Sequence, residues 1–256
     1  MPHQQRIRIV PGAKTAVLMM HGIAGTPDHF RTLLPLEDLI PENWTLCNII
    51  MDGHGKQVED FSHSSMAAWE KQTMECFHTL CQTHEQVILV GHSMGTLFAM
   101  DMAREQPEKV AFLFLIEVPL RVGVKAFAVR NLIRFAFGKL NLCDPVQEAT
   151  SRVCSIRPTR MVWKYLGWIP RMLELIRKMH TSAKLVAQLA VPTVAYQSRR
   201  DELVSNRSAK LLSLAGTVEV HEFTNSTHFY YHPDDIARVR ERFIQACGQM
   251  KTPPTD

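Results

Sequence analysis

Apolar residues gather in short runs that stop abruptly at glycine or a polar turn. Ala16 to Met20 (AVLMM) ends at His21-Gly22, and Thr45 to Met51 (TLCNIIM) ends at Asp52-Gly-His-Gly55. Gln86 to Val90 ends at Gly91, and Val110 to Ile116 makes a fourth run. Runs this short, apolar at consecutive positions, predict strands buried on both faces of a parallel sheet. Between them the period becomes that of a helix. Met66 to Thr83 sets Trp69, Met74, Phe77 and Leu80 largely in one stripe, and Met94 to Glu105 reads as a helix halted before Pro107. The alternation lapses from Pro119 to Gln188, which is rich in helix formers and broken by Pro145, Pro158 and Pro170. It resumes with a strand over Val191–Tyr196, a helix near Ser205–Leu214, a strand over Val218–Phe223 and an amphipathic helix from Pro233 to Cys247. The pattern predicts an α/β protein with a mostly parallel, doubly wound sheet. Its core spans 1–118 and 189–250, a helical insertion covers 119–188, and the tail 251–256 is expected to be disordered.

A chain of 256 residues can fill one large core with a small insert. No uncharged apolar stretch of about 18 residues is present, so no membrane-spanning helix is expected. The first residues lack the apolar run of a secretory signal. Six cysteines (Cys47, Cys76, Cys81, Cys143, Cys154, Cys247) form no C-x-x-C pair, and they read as buried reduced thiols of a cytoplasmic protein. The formal net charge of +4 conceals an asymmetry. Residues 119–188 carry 13 Lys and Arg against 3 Asp and Glu, a balance of +10, whereas the remainder carries 16 against 22, a balance of −6. One basic segment interrupts a mildly acidic body, which suggests a separately built module.

Gly91-His-Ser-Met-Gly95 is a G-x-S-x-G pentapeptide between a buried strand and a helix. That placement suits a serine nucleophile: a tight strand-to-helix turn lifts the Ser93 hydroxyl clear of the sheet edge, and flanking glycines avoid clashes. The following helix directs its positive end toward charge developing there. Acyl transfer also needs amide N–H groups aimed at the oxyanion. Met94, directly after the nucleophile, supplies one. The loop His21-Gly-Ile-Ala-Gly25 after the first strand supplies the other, assigned to Ile23.

A serine hydroxyl needs a histidine to take its proton. Of twelve histidines, His228 is best placed, in Asn225-Ser-Thr-His228 between the last strand and the terminal helix. His21 and His92 read as structural, and His54, His63 and His221 as serving loops or the surface. The acid belongs between Ser93 and His228 in the chain. Asp201, in Arg199-Arg-Asp-Glu-Leu-Val204, follows the 191–196 strand. Glu202 is its adjacent rival, and Glu117, ending the 110–116 strand, is the distant one.

With these residues in place the chain resembles the bacterial carboxylesterase and monoacylglycerol-lipase branch of the α/β-hydrolases. The resemblance rests on LMMHGIAGTP at the first strand, MDGHG at 51–55, GHSMG at 91–95, QSRRDELV at 197–204 and STH at 226–228. It covers most of the chain outside the insertion. It implies an α/β-hydrolase fold, a Ser93–Asp201–His228 triad, hydrolysis of a small acyl ester such as a monoacylglycerol, and neither cofactor nor metal. Ile23 stands where relatives often carry a large aromatic, Thr96 where a small residue is common, and Thr227 where glycine often precedes the base. Backbone donation survives these changes, and the shape of the acyl pocket is what they affect. The same triad serves thioester or carbon–carbon bond hydrolysis, and a silent hydrolase fold can act as a binding protein. Epoxide hydrolase and dehalogenase chemistry is disfavoured, since both need a carboxylate as nucleophile.

The insertion falls where caps of this fold roof the active site. It holds Phe127, Phe135, Phe137, Trp163, Tyr165 and Trp168 among its 13 basic residues. One reading has apolar residues lining the pocket while the positive surface docks on the acidic body. A sharper one rests the basic and aromatic residues on an anionic lipid surface. No nucleic-acid module accompanies the charge, so no nucleic-acid partner is expected.

Overall fold

The computed structural model describes residues 3–249. Seven strands make one sheet: β1 (Arg6–Arg8), β2 (Thr15–Met20), β3 (Thr45–Ile49), β4 (Gln86–His92), β5 (Val110–Ile116), β6 (Thr193–Ser198) and β7 (Val218–Phe223). Their spatial order is β1-β3-β2-β4-β5-β6-β7. β1 pairs antiparallel with β3, and every other pairing is parallel. The helices are α1 (Val58–His63), α2 (Met66–Thr83), α3 (Met94–Glu105), α4 (Ala126–Ala136), α5 (Pro145–Val153), α6 (Trp168–Leu185), α7 (Arg207–Leu212) and α8 (Pro233–Gly248).

The consecutive apolar runs mark strands covered on both sides. In β2, Ala16, Leu18 and Met20 join a core with Trp69 and Phe77 of α2 and Leu97 of α3. Val17 and Met19 join a second core with Val239 and Phe243 of α8. A side chain that alternates faces at every residue thus finds an apolar layer either way. Each fully buried Leu, Met or Phe contributes about 1.5–3 kcal/mol.

The structure departs from the expectations in places. Cys143, read as a buried thiol, is exposed in the turn before α5, where Asn141 Oδ1 accepts its N–H. β1 and α1 were not anticipated: three residues alternating Arg-Ile-Arg at an edge, and a six-residue helix, are too short to show a period. The strand expected over Val191–Tyr196 lies two residues later, at Thr193–Ser198, because Pro192 lacks an N–H for the ladder. The tail 251–256 lies outside the described residues.

Between β5 and β6 the chain is helical, carrying α4, α5 and α6. This segment touches the body through complementary charge. Lys178 pairs with Glu70 and Asp101, and Lys164 with Glu59. Arg171 donates to the carbonyls of Ser62 and Ser64. Backbone bonds Ser155 N–H to Ala24 O (2.9 Å) and Arg157 N–H to Lys56 O (3.0 Å) fix the end of α5 against the loops leaving β2 and β3.

Candidate active site

β2, β4, β5, β6 and β7 run in one direction, so their carboxyl ends share an edge of the sheet. The loops leaving that edge carry Gly22–Gly25, Ser93, Glu117, Asp201 and His228, the position where open parallel sheets build their sites.

Ser93 sits between β4 and α3 with φ 50° and ψ −120°, a left-handed conformation that costs a non-glycine residue on the order of 1–3 kcal/mol. Local bonds hold it there. Its N–H donates to Ile116 O at 2.9 Å, and its carbonyl accepts the Thr96 N–H at 3.0 Å and the Thr96 hydroxyl at 2.6 Å. Thr96, one of the departures from the family pattern, therefore braces the turn. The flanking glycines are dictated by space. A Cβ on Gly91 would lie 2.7 Å from Thr96 Cα, and one on Gly95 would lie 2.1 Å from the Met20 carbonyl oxygen.

The structure brings the three expected side chains into line. The Asp201 carboxylate can only accept, so His228 Nδ1 carries the proton and donates to Asp201 Oδ2 at 2.7 Å. Nε2 is then free to accept from the Ser93 hydroxyl, 3.1 Å away. Asp201 Oδ1 accepts the N–H groups of Leu203 and Val204, each at 2.7 Å, in an Asx-type turn. Burial alone would raise the Asp201 carboxyl, but the His228 imidazole and these donors hold it below the usual carboxylate range. Burial likewise works against a charge on His228. Asp201 and then Glu202 overcome it and lift the imidazole above its ordinary value.

Both rival acids lie close by and do other work. Glu202 Oε2 accepts the backbone N–H of His228 at 2.9 Å, and its Oε1 accepts the Thr227 hydroxyl at 3.3 Å. Glu117 lies fully buried behind Asp201. Asp235, in the first turn of α8, accepts from Thr224 N–H, Asn225 N–H and the Ser226 hydroxyl. It thereby fixes the loop that presents His228.

Neither the Ile23 nor the Met94 N–H has an intramolecular acceptor among the described residues, and Ile23 borders the cleft beside Ser93. That cleft is narrow, with a cavity volume of about 20 Å³, and is lined on its apolar side by Ile23, Val153, Leu203 and Phe229. Val153 comes from α5 of the insertion.

The buried histidines around His228 are scaffold. His21 donates from Nδ1 to Gly22 O (2.8 Å) and accepts the Met51 N–H at Nε2 (3.1 Å), tying the loop after β2 to the end of β3. Burial lowers its pKa to about 4. His92 bonds the His228 carbonyl through Nε2 (3.3 Å) and stacks on His29 at 3.8 Å. His54 serves the loop after β3, where its Nδ1 bonds the Asp52 carbonyl at 3.1 Å, and it does so from the interior. It is 2% exposed, packed against His21, Phe61 and Trp69, and burial drives its pKa well down. His29, the Leu203 and Val204 amides and the Asp235 brace were not anticipated. The Asx turn after Asp201 was legible locally, while nothing in the sequence places His29 beside His92.

A mostly parallel sheet with a strained Ser93 turn at its carboxyl edge, aligned with a histidine and an acid from later loops, has the architecture of an α/β-hydrolase. The sequence model described as "Serine aminopeptidase, S33" matches residues 11–232, and the chain belongs to that family of hydrolytic enzymes. It is 29% identical over 246 residues to a thermostable monoacylglycerol lipase of a Bacillus species, covering 91% of each chain. Among solved structures, the metagenome-derived lipolytic enzymes LipS and LipT give a TM-score of 0.71 at 17% identity, covering 96% of this chain and 98% of the other. A thioesterase domain from the curacin biosynthetic pathway gives 0.56 at 16%, covering 94% and 99%. At these identities the structural matches establish the shared fold.

Proposed function

We propose that this hydrolase cleaves carboxylic esters through an acyl-enzyme on Ser93. The observation that carries the reading is the continuous relay from Ser93 Oγ to His228 Nε2 (3.1 Å) and from Nδ1 to Asp201 (2.7 Å). As Oγ attacks the ester carbonyl, His228 takes the hydroxyl proton, and Asp201 stabilises the imidazolium and its tautomer. The carbonyl oxygen becomes an oxyanion held by the Ile23 and Met94 amides. Each such donor is worth about 3 kcal/mol of transition-state stabilisation. His228 returns the proton to the leaving alkoxide, which departs as alcohol. Water, deprotonated by the same imidazole, then releases the acid and restores Ser93.

The substrate class proposed is a monoacylglycerol or a short- to medium-chain acyl ester. Similarity to the Bacillus monoacylglycerol lipase supports it, as does the apolar lining of the cleft. Thioester hydrolysis is the second reading, favoured by the shared fold of the curacin thioesterase domain. Labelling of Ser93 by a fluorophosphonate, followed by turnover of p-nitrophenyl esters of increasing length beside monoacylglycerols and acyl thioesters, tests both. Absence of label on Ser93 refutes the mechanism. Thioesters turning over faster than every ester move the assignment to the second reading.

Residues 119–188 act in this proposal as a cap that also meets an anionic lipid surface. Of the insertion's large apolar side chains, Phe127, Leu132, Ile133, Trp163, Leu166 and Ile169 are exposed, Trp163 and Leu166 by 63% each. The uncommitted basic residues accompany them, the combination that binds headgroups and acyl boundary together. Flotation with phosphatidylserine-containing vesicles should show association that high salt removes, and no salt-sensitive association would end this part of the reading. Unpaired thiols at all six cysteines support the proposed cytoplasmic setting.

A further inference from the structure

The acidic side of His228 holds two buried carboxyls where the relay uses one. Glu117 follows β5 with φ 54° and has no exposed surface. Its N–H donates to Tyr196 O at 2.8 Å, and its Oε2 accepts the Ser198 N–H at 3.0 Å. Its Oε1 meets no donor among the described residues. A carboxyl oxygen of Glu117, one of Asp201 and a ring nitrogen of His228 all lie within 4.8 Å of one another.

The titratable groups around this point are Asp201 and Glu202 from the loop after β6, His228 from the loop after β7, Tyr231 before α8, and His92 at the end of β4. His92 and the His29 stacked on it are kept neutral by burial. Among the described residues no Lys or Arg pairs with Glu117 or Asp201, and the His228 imidazole is the cationic partner within reach of Asp201. Two buried carboxylates side by side cannot both stay ionised under those conditions. Asp201 accepts two backbone N–H groups and the imidazole, whereas Glu117 accepts one N–H, so the shared proton belongs on Glu117. Burial, then the charge of Asp201, pushes the Glu117 carboxyl well above the usual range.

We propose that Glu117 is a protonated positioning residue: its O–H donates to the Asp201 carboxylate, fixing the acceptor of His228 while leaving one negative charge beside the imidazole. Asp201 then accepts the Glu117 hydroxyl in addition to Leu203, Val204 and His228. The rival acid of the sequence becomes the clamp on the acid in use. This rests on the triad reading above.

The experiment is the pH dependence of kcat and kcat/KM for the wild type, Glu117→Gln and Glu117→Leu, with active sites counted by fluorophosphonate. Glutamine keeps a donor for Asp201 and an acceptor for Ser198, and leucine keeps neither. The expected result is a roughly tenfold loss of kcat in the leucine variant at nearly constant KM, most of it recovered by glutamine. The acid limb of kcat/KM in the glutamine variant should stay within about 0.3 pH unit of wild type, since no charge was removed. A downward shift of that limb by about one unit would mean that Glu117 was ionised, and would overturn the proposal. Leucine turning over like wild type would overturn the positioning role. If the leucine variant does not fold, infrared difference spectra of wild type against Glu117→Gln decide: a protonated-carboxyl carbonyl band lost on substitution supports the proposal, and no such band refutes it. Failure of Ser93 to label in the wild type refutes the triad reading itself, a distinct outcome.

Discussion

Asp201 shows what one carboxylate does when its surroundings are complete. Two N–H groups on Oδ1 and an imidazole on Oδ2 fix its orientation. Asparagine there would present an amide to Nδ1 and favour the wrong imidazole tautomer. Asp201→Asn is expected to lower kcat by about 10³- to 10⁴-fold with little change in KM, measured on a soluble ester with active-site titration. In the proposed relay His228 must be neutral to accept the Ser93 proton. Its pKa is raised from 6.5 by Asp201 and Glu202 against the opposing effect of burial, so activity is lost as pH falls through a value above 6.5. The acid limb of kcat/KM should have its midpoint on the alkaline side of an ordinary histidine, and a midpoint below 6.5 would contradict the coupling to Asp201. At this scale the sequence carried much of the site. Ser93, Asp201 and His228 were each legible because each closes or follows a recognisable strand. The division of labour among Asp201, Glu202 and Glu117 was not, since it depends on which carboxyl faces Nδ1.

Elements constrain the site through contacts too close for any alternative. Gly95, in the first turn of α3, lies directly beside the end of β2, where a methyl group would stand 2.1 Å from the Met20 carbonyl oxygen. Relief would require moving α3 off the sheet. Gly95→Ala is expected to cost more than about 3 kcal/mol, seen as a large drop in thermal midpoint or as loss of soluble protein. Asp235 couples α8 to the loop of His228 through three accepted hydrogen bonds. Its removal strands two backbone N–H groups and a hydroxyl, and Asp235→Ala is expected to cost on the order of 2–3 kcal/mol and to lower kcat by loosening His228. Circular dichroism melts and kinetics on the same preparation check both effects. Boundaries of α2, α3, β5 and β7 follow from the sequence because caps, proline and period agree there. β1 and α1 escape it because three and six residues hold too little pattern.

For the molecule as a whole, charge organises the relation between insertion and body. Lys178 of α6 reaches Glu70 of α2 and Asp101 of α3, with 14% of its side chain exposed. Lys178→Met removes that tie. With partly exposed partners the loss is expected near 1 kcal/mol, lowering the thermal midpoint by about 2–4 °C, and limited proteolysis should then cut first within 119–188. In the proposed cap, one set of residues docks on the acidic body and another is left for the proposed lipid contact. Lys164 and Lys178 pair inward, while the apolar surface of α4 stays outward, with only Ala128 and Asn131 buried.

By itself the sequence determined the longer strands and helices, where the glycine-flanked Ser93 turn lies, and that a basic segment over 119–188 interrupts their alternation. These properties depend on neighbours a few residues away: apolar period, glycine placement and local charge density. Tertiary structure alone decided that Glu117, ending β5, lies beside Asp201, after β6, and that His29 and His92 stack behind the base. Such pairings join residues 84 or 63 positions apart through the parallel sheet, and distance along the chain carries no information about which strand edges meet.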